Sequence, residues 1–404
     1  MRTTKVRQAV GVSVMNLDRS RLTEITGLND PIGILSVYVT ADPGEEAERP
    51  AWQVRTRNAL DELRRRVHED GDRGVDKLLR SRLDTIGGDL DWALAPRTSG
   101  MGRALFAPLS NGEVHRVSVQ EPLGDVVRFA DRAHIRPLLC AWANGSPAGI
   151  AVATGDGIRI IHFAFGIAED IAHLRYVDPS GDWTELKGPA NSQPGFAQQS
   201  APQHDLFEAR RAKDLKRYLA SGHETLRRHA DEGGWEYLVI AGEPQLREAM
   251  IEHLGSEFRP TIVASGSVVG MLHPPAAKVA ELVQPELMRA RRDRDIDVLR
   301  RLTETKKSAH GVDQTLAAVQ EGRAETVVMD AGADWRGRRG GDGRYVADGV
   351  IPPGSNGNGL TPEPELGERI VELAIDHRTD VVMIPDDMAD EVADSDGLAA
   401  ILRW

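Results

Sequence analysis

Residues 311–328 read GVDQTLAAVQEGRAETVV, and this stretch decides the fold class of the last third of the chain. It predicts a helix over Val312–Gln320 that leads through a turn into a buried strand, Thr326–Asp330. Helix and strand keep alternating through Pro364–Ile375, Asp380–Pro385 and Ala399–Trp404. This alternation indicates a small α/β/α layer, and the glycine-rich stretch Gly332–Gly359 is expected to be a mobile loop.

The first 145 residues also predict an α/β region. Strands are predicted at Gly33–Thr40, Ala104–Ala107, Val114–Val119 and Pro137–Ala141. The turn pair Asn111-Gly112 between the second and third of these is typical of a hairpin. A charged helix is predicted at Ala51–His68, with an apolar stripe made of Val54, Leu60, Leu63 and Val67.

The middle of the chain predicts a sheet that is interrupted by a long irregular segment. Strands are predicted at Gly149–Ala153, Gly157–Phe165, Ile171–Val177 and Tyr237–Gly242. Residues 178–204 show no periodicity, and a stretch of that length inside a compact domain is typically functional or disordered. A helix is predicted from Asp205, a suitable N-cap, to about His229, another begins at Pro244, and a helical connector covers Ala276–Lys307.

These patterns favour three α/β domains with boundaries at residues 1–145, 146–275 and 276–404, and a catalytic-type loop over residues 186–204. A chain of 404 residues with 40% hydrophobic and 28% charged residues fits two to four globular domains. Cys140 is the single cysteine, which excludes an intramolecular disulfide and a cysteine-based zinc cluster. We expect no metal and no cofactor.

The charge and the apolar runs limit the possible partners. The net charge of −12 argues against indiscriminate nucleic-acid binding, so any RNA contact must be a local basic patch. No secretory signal and no run of about 20 apolar residues is present, which predicts a cytoplasmic protein without a membrane partner.

Three stretches, in order, resemble the last two domains of the archaeo-eukaryotic class-1 release factors and Pelota. Residues 311–328 resemble that family's helix and "GAVETL"-like turn into a strand, and Gly397–Trp404 resembles its terminal "GGIGAILRF/Y". Val239–Pro244 matches a strand ending in "AGP". The resemblance implies a bacterial member with a central mixed sheet that carries a projecting loop and a long basic helix. It also implies a last domain like that of archaeal kink-turn-binding ribosomal proteins.

The resemblance places the chemistry of the chain in the irregular segment. Those relatives carry a Gly-Gly-Gln tripeptide that enters the peptidyl-transferase centre, whereas this chain has Gln193–Ala201, QPGFAQQSA, at the matching place. Gly195-x-x-Gln198 is similar to the Gly-x-x-Gln loop of peptidyl-tRNA-cleaving hydrolases of ribosome quality control. Alignment on the family's Gln-Ser-Ala makes Gln199 the active residue instead. The sequence leaves this register open.

Glutamine suits such a site for a physical reason. An amide does not titrate near neutral pH and is a poor general base, but it can position water, and its backbone N–H can support an oxyanion. Gly195 would allow a positive φ and close approach to RNA. A glutamine-rich surface linker without chemistry has the same composition, so that alternative stays open.

The helix that follows is rich in cations. Five basic residues fall within about two turns, namely Arg210, Arg211, Lys213, Lys216 and Arg217. Beside the loop they are interpreted as a grip on the RNA backbone. The alternative is a solvated face with local pairs such as Glu208 with Arg211.

The resemblance therefore implies a ribosome-associated release or rescue factor. The stop-codon-reading tetrapeptide Asn-Ile-Lys-Ser and a P-loop are both absent, so we expect neither stop-codon decoding nor a GTPase. The leading hypothesis is a codon-independent peptidyl-tRNA hydrolase. Its partner is the ribosome, through rRNA and peptidyl-tRNA, and the resemblance also implies contact with a translational GTPase. The alternative is a non-catalytic Pelota-like or Balon-like factor that binds the A site during stalling or hibernation. A third hypothesis, an α/β protein acting away from the ribosome, is favoured by the acidic composition.

Overall fold

The computed structural model describes residues 17–42, 50–96, 98–155, 157–175, 218–219, 222–255, 257–266, 273–351 and 359–404. The chain divides into two compact units, one made of Met1–Gly145 with Arg294–Trp404 and the other of Ser146–Asp293. Within the described residues, no helix combines the length and apolarity needed to cross a membrane. The three domains expected from the sequence stay a prediction.

The N-terminal part of the first unit is built on an antiparallel sheet with the strand order β3-β2-β1-β4. The strands are β1 (Asn29–Thr40), β2 (Gly102–Pro108), β3 (His115–Val119) and β4 (Val126–Arg132). The predicted strand at Gly33–Thr40 and the predicted hairpin are confirmed. β1 lies in the middle of the sheet and is buried along most of its length, which explains its nearly continuous apolar sequence.

A short helix, α1 (Arg19–Thr26), precedes β1. The helices α2 (Ala51–Glu69), α3 (Arg73–Thr85) and α4 (Gly87–Leu94) cover one face of this sheet. α2 buries Trp52, Leu60, Leu63 and Val67 against strand β1. The prediction that Val54 belongs to this stripe is wrong, because Val54 is 42% exposed and the buried side passes through Trp52 instead.

The predicted strand Pro137–Ala141 is wrong, because these residues lie in a helix, α5 (Arg136–Gly145). Pro137 occupies the first turn, where a backbone N–H would have no helical partner. Leu138, Ala141 and Gly145 are buried on one side at helical spacing. A five-residue apolar run fits either period, so the residues that flank it determine the structure.

The second unit contains a mixed sheet with the order β7-β6-β5-β8-β9. The strands are β5 (Ala148–Thr154), β6 (Gly157–Ala164), β7 (Ile167–Arg175), β8 (Tyr237–Gly242) and β9 (Thr261–Ala264). β5, β6 and β7 pair antiparallel, whereas β8 and β9 run parallel to β5. All four predicted strands of this region are confirmed, with β7 beginning four residues earlier than expected.

Helices pack on both faces of this sheet. They are α6 (residues 222–233), α7 (Pro244–Leu254) and α8 (Ala276–Glu304). α6 and α7 share a core with Ile158 and Ile160, while the first half of α8 packs through Val279 and Val283 on the opposite face. The helices predicted from Pro244 and Ala276 are confirmed, and the predicted start of a helix at Asp205 lies outside the described residues.

The C-terminal part of the first unit has a second sheet, with the order β10-β16-β11-β15. Its strands are β10 (Ser308–His310), β11 (Ala324–Asp330), β15 (Asp380–Ile384) and β16 (Leu398–Leu402). Its helices are α9 (Gly311–Gln320), α10 (Leu366–Asp376) and a 3-10 helix, Asp386–Ser395. β11 and β15 are parallel, and β16 is antiparallel to β11. The helices and strands predicted here are confirmed.

The glycine-rich stretch Gly332–Gly359 was expected to be a mobile loop, and for its described part this is wrong. It contributes β12 (Gly337–Arg339) and β13 (Tyr345–Ala347), which form a three-stranded antiparallel sheet with β14 (Thr361–Glu363). The strands are only three residues long and are separated by glycines, so the sequence pattern contains too little alternation to predict them.

Candidate functional site

The residues expected to carry the chemistry and the RNA contact all belong to residues 176–217, which lie outside the described part of the chain. They are Gly195, Gln198, Gln199, Arg210, Arg211, Lys213, Lys216 and Arg217. Their arrangement stays a prediction. The structure does describe the two ends between which this segment is inserted.

The two ends of segment 176–217 meet at one edge of the sheet of the second unit. The segment begins after Arg175, the last residue of β7, and the chain is described again from Tyr218. The Tyr218 hydroxyl donates a hydrogen bond to the carbonyl oxygen of Leu174, with a distance of 3.1 Å. Leu219 and Leu226 are buried in the core of the same sheet. Segment 176–217 therefore starts and finishes at one fixed place beside strand β7.

Strand β7 is fixed to the sheet by a cross-strand ion pair. The buried guanidinium of Arg159 on β6 donates to both carboxylate oxygens of Asp170 on β7, at 2.6 and 2.8 Å. Its third nitrogen donates to the Pro274 carbonyl oxygen at 2.6 Å. The hydrogen bonds from Arg159 lower the pKa of Asp170. The strand that leads into segment 176–217 is thus held firmly at the edge of the sheet.

A polar pocket in the first unit was not found by sequence reasoning. Its volume is about 400 Å³, and it lies at the N-terminal ends of α5 and α10. Its charged, polar and aromatic lining includes Arg128, His134, Arg136, Cys140, Asp334, Trp335, Glu365 and Glu368. The sequence pattern gives no signal for this pocket, because its lining comes from three segments that are far apart along the chain, 122–140, 331–335 and 364–368.

Glu368 caps the N-terminal end of α5 from another part of the chain. Its Oε1 accepts a hydrogen bond from the Ile135 backbone N–H at 2.5 Å, and its Oε2 accepts one from Arg136 at 3.3 Å. The side chain is only 2% exposed. Burial raises the pKa of Glu368 to about 8, although the two backbone donors act in the opposite direction.

His134 faces the same carboxyl group. Its Nδ1 lies 3.3 Å from Glu368 Oε2, and its backbone N–H donates to Ser36 Oγ at 3.0 Å. Burial, together with the guanidinium groups of Arg128, Arg136 and Arg369, lowers the pKa of His134 to about 3. At neutral pH these shifts favour the protonated form of Glu368 and leave the imidazole of His134 neutral.

The cations of the pocket already have partners, and its thiol is held in the neutral, weakly nucleophilic form. Arg136 pairs with Asp334 at 3.0 Å, donates to the Ala331 carbonyl oxygen at 3.1 Å and stacks 5.1 Å from the ring centre of Trp335. Burial raises the pKa of Cys140 to about 11. The side chains of the pocket thus join separate segments of the first unit, and none of them is an activated nucleophile. Among the described residues, no group of three or more His, Cys, Asp or Glu could hold a metal ion.

Comparisons with solved structures find distant similarities to translation factors. The chain shares 16% identity with an archaeal translation termination factor, aRF1, over 96% of this chain and 99% of that one, with a TM-score of 0.23. With Dom34 of S. cerevisiae, the identity is 7% over 72% of each chain, with a TM-score of 0.41. With archaeal Pelota, it is 12% over 97% and 95%, with a TM-score of 0.40.

No curated protein sequence matches the chain. Residues 134–287 match the family model described as bacterial archaeo-eukaryotic release factor family 10. The matched range begins just before α5, includes the whole sheet of the second unit, and contains segment 176–217. This part of the chain is therefore similar to that family of bacterial release-factor-like proteins.

Proposed function

We propose that this protein is a ribosome-associated rescue factor that hydrolyses the ester bond of peptidyl-tRNA without reading a stop codon. One observation carries the proposal. The Gly195-x-x-Gln198 sequence lies inside the range that matches a release-factor family, in a segment whose two ends are fixed together beside β7. A segment anchored in this way can present a short peptide to a distant site while its base keeps a defined position.

The proposed reaction needs no titrating catalytic group. The side-chain oxygen and nitrogen of Gln198 would orient a water molecule toward the ester carbonyl, and a backbone N–H of the loop would stabilise the developing oxyanion. Gly195 would allow the backbone to approach the RNA closely. The five basic residues from Arg210 to Arg217 would hold the RNA backbone through phosphate contacts.

The finer features of the fold and the partners belong to the same proposal. The protein would have three domains, the last of them resembling archaeal kink-turn-binding ribosomal proteins. It would act in the cytoplasm on rRNA and peptidyl-tRNA, and a translational GTPase could deliver it. Its first domain would choose the ribosome by something other than a stop codon, because the tetrapeptide Asn-Ile-Lys-Ser is absent from the sequence.

A second candidate is a factor that occupies the ribosomal A site without cleaving the ester, during stalling or hibernation. One specific observation favours it. The two consecutive glycines of the Gly-Gly-Gln tripeptide are missing, and Phe196 follows the single Gly195. A loop with one glycine has less freedom to adopt a positive φ at successive positions, which reduces its ability to fit closely against RNA.

Peptide release from stalled ribosomes tests the proposal. Purified protein is added to ribosomes that carry a labelled nascent chain and have a sense codon in the A site. We expect release with the wild-type protein and a loss of about 100-fold in the release rate for Gln198→Ala, which removes the water-positioning amide. Co-sedimentation with ribosomes should be unchanged by this substitution.

Two further substitutions control the experiment. Gln203→Ala removes another glutamine from the same segment, outside the Gly-x-x-Gln sequence, and should release peptide as the wild type does. Gln199→Ala decides the register, because only one of the two neighbouring glutamines should be essential. Ribosome binding without any release by the wild-type protein would refute hydrolysis and establish the A-site binding factor. Failure to bind ribosomes at low salt would refute both.

A further inference from the structure

The three-stranded sheet β12–β14 has one face turned toward the protein. A Cβ atom added at Gly337 would lie 2.9 Å from Leu366 Cδ2 and 2.4 Å from the Val346 carbonyl oxygen, so the strand passes very close to α10. Side chains alternate between the two faces of a strand. Gly337 and its cross-strand partner Ala347 therefore lie on the inner face, and Arg338 with its partner Val346 on the outer face.

The outer face is strongly basic. Arg336, Arg338 and Arg344 occupy alternate positions that place them on this face, and all three are exposed. Asp348 forms a long 3.5 Å ion pair with Arg338. Among the described residues, Arg336 and Arg344 form no ion pair. We call these three arginines the outer arginine face.

Hydrogen bonds to α9 hold the sheet that carries the outer arginine face. The side chain of Gln320 on α9 makes two hydrogen bonds to the backbone of Tyr345. Its Oε1 accepts from the Tyr345 N–H at 2.8 Å, and its Nε2 donates to the Tyr345 carbonyl oxygen at 3.0 Å. On the inner face, the Arg339 guanidinium lies 5.7 Å from the ring centre of Tyr345. The backbone of the strand that follows Arg344 is thus fixed to α9 before any ligand binds.

We propose that the outer arginine face binds the phosphate backbone of RNA. This proposal adds a binding surface to the proposed function. It rests on that function for the identity of the RNA, which would be ribosomal. Guanidinium groups match phosphate oxygens in a bidentate geometry. Arg336 and Arg338, two residues apart along one strand, have Cα atoms about 6.6 Å apart, which suits neighbouring phosphates of one RNA strand. In a chain with a net charge of −12, such a face concentrates the cations that RNA contact requires.

The salt dependence of RNA binding tests this inference. The probe is a fluorescein-labelled single-stranded RNA of mixed sequence, titrated with the full chain at several salt concentrations. Loss of three phosphate contacts should reduce the slope of log K against log salt by about 2. We expect this reduction for the triple variant R336Q/R338Q/R344Q. The triple lysine variant of the same positions keeps the charges and should retain a slope close to that of the wild type.

A matched control distinguishes the effect of these three arginines from the effect of losing any three positive charges. R64Q/R65Q/R300Q removes the same charge from exposed arginines that each pair with an acidic residue three positions earlier on a helix. It should leave the slope unchanged. An equal loss in the control, an unchanged slope in R336Q/R338Q/R344Q with native circular dichroism, or stronger binding of polyglutamate than of RNA would overturn the inference. Peptide release is measured separately, so release without RNA contact at this face leaves the proposed function standing.

Discussion

Substituting Glu368 with glutamine should leave the protein nearly as stable as the wild type at pH 5 and make it more stable at pH 8. A glutamine has the shape of the protonated acid. Its carbonyl oxygen can accept from the Ile135 N–H, and its NH₂ group would face Nδ1 of His134, a buried nitrogen without a hydrogen-bond partner among the described residues. We therefore expect a difference within about 1 kcal/mol at pH 5.

The magnitude at higher pH follows from the pKa of Glu368. That pKa is raised to about 8 in the folded protein from an ordinary value of 4.5. Between these values the folded state binds a proton that the unfolded state has released, so stability falls as pH rises. The slope is about 1.4 kcal/mol per pH unit, or about 3 kcal/mol between pH 5 and 7.5. The glutamine variant lacks this dependence.

The opposite linkage applies to His134. Its pKa is lowered to about 3, so its contribution to stability is present above its ordinary value of 6.5 and is lost as pH falls from there toward 3. Both proteins contain this histidine. The difference between their unfolding free energies therefore isolates the titration of Glu368.

Urea unfolding at pH 5, 6.5 and 8 measures this difference, and hydrogen exchange of the Ile135 and Arg136 amides reports on the cap itself. Glu365→Gln is the matched control, because it removes the nearby ion pair with Arg128 but no bond to the α5 amides. If the free energies of unfolding of the wild type and Glu368→Gln changed with pH by the same amount, the reasoning would be refuted. A variant several kcal/mol less stable at pH 8 would show that the ionised carboxylate holds the helix.

Three further predictions concern single side chains. Gly149→Ala should lower the free energy of unfolding by about 2–3 kcal/mol in urea titrations, since its Cβ would lie 2.2 Å from the Trp235 ring. Arg159→Met should reduce it by only about 1–2 kcal/mol in the same assay, because the partner carboxylate of Asp170 is half exposed. Cys140 should react with Ellman's reagent about 100-fold more slowly in the native protein than in urea at pH 7, because burial raises the pKa of its thiol to about 11.

The sequence predicts most of the regular elements, because their apolar periodicity is long enough to choose between helix and strand. The helix α2 and the strands β1, β8 and β11 are examples. The run Pro137–Ala141 shows the limit of this method. Five apolar residues fit both periods, and the cap on the helix comes from Glu368, which is more than 200 residues away along the chain.

The polar pocket was not predictable because its chemistry arises from contacts between distant segments. His134 has an ordinary sequence environment, and its pKa is lowered only because the fold buries it beside Arg128, Arg136 and Arg369. The outer arginine face was missed for a related reason. Its arginines lie among glycines that suggested a loop, and only the pairing of β12 with β13 aligns Arg336, Arg338 and Arg344.

The central claim is that Gln198 directs hydrolysis of peptidyl-tRNA independently of the codon. The most direct measurement is the rate at which a labelled peptide is released from two otherwise identical ribosome complexes, one with a sense codon and one with a stop codon in the A site. The account predicts equal rates with the wild-type protein and loss of both with Gln198→Ala. Release confined to the stop-codon complex, or equal release by the alanine variant, would contradict it.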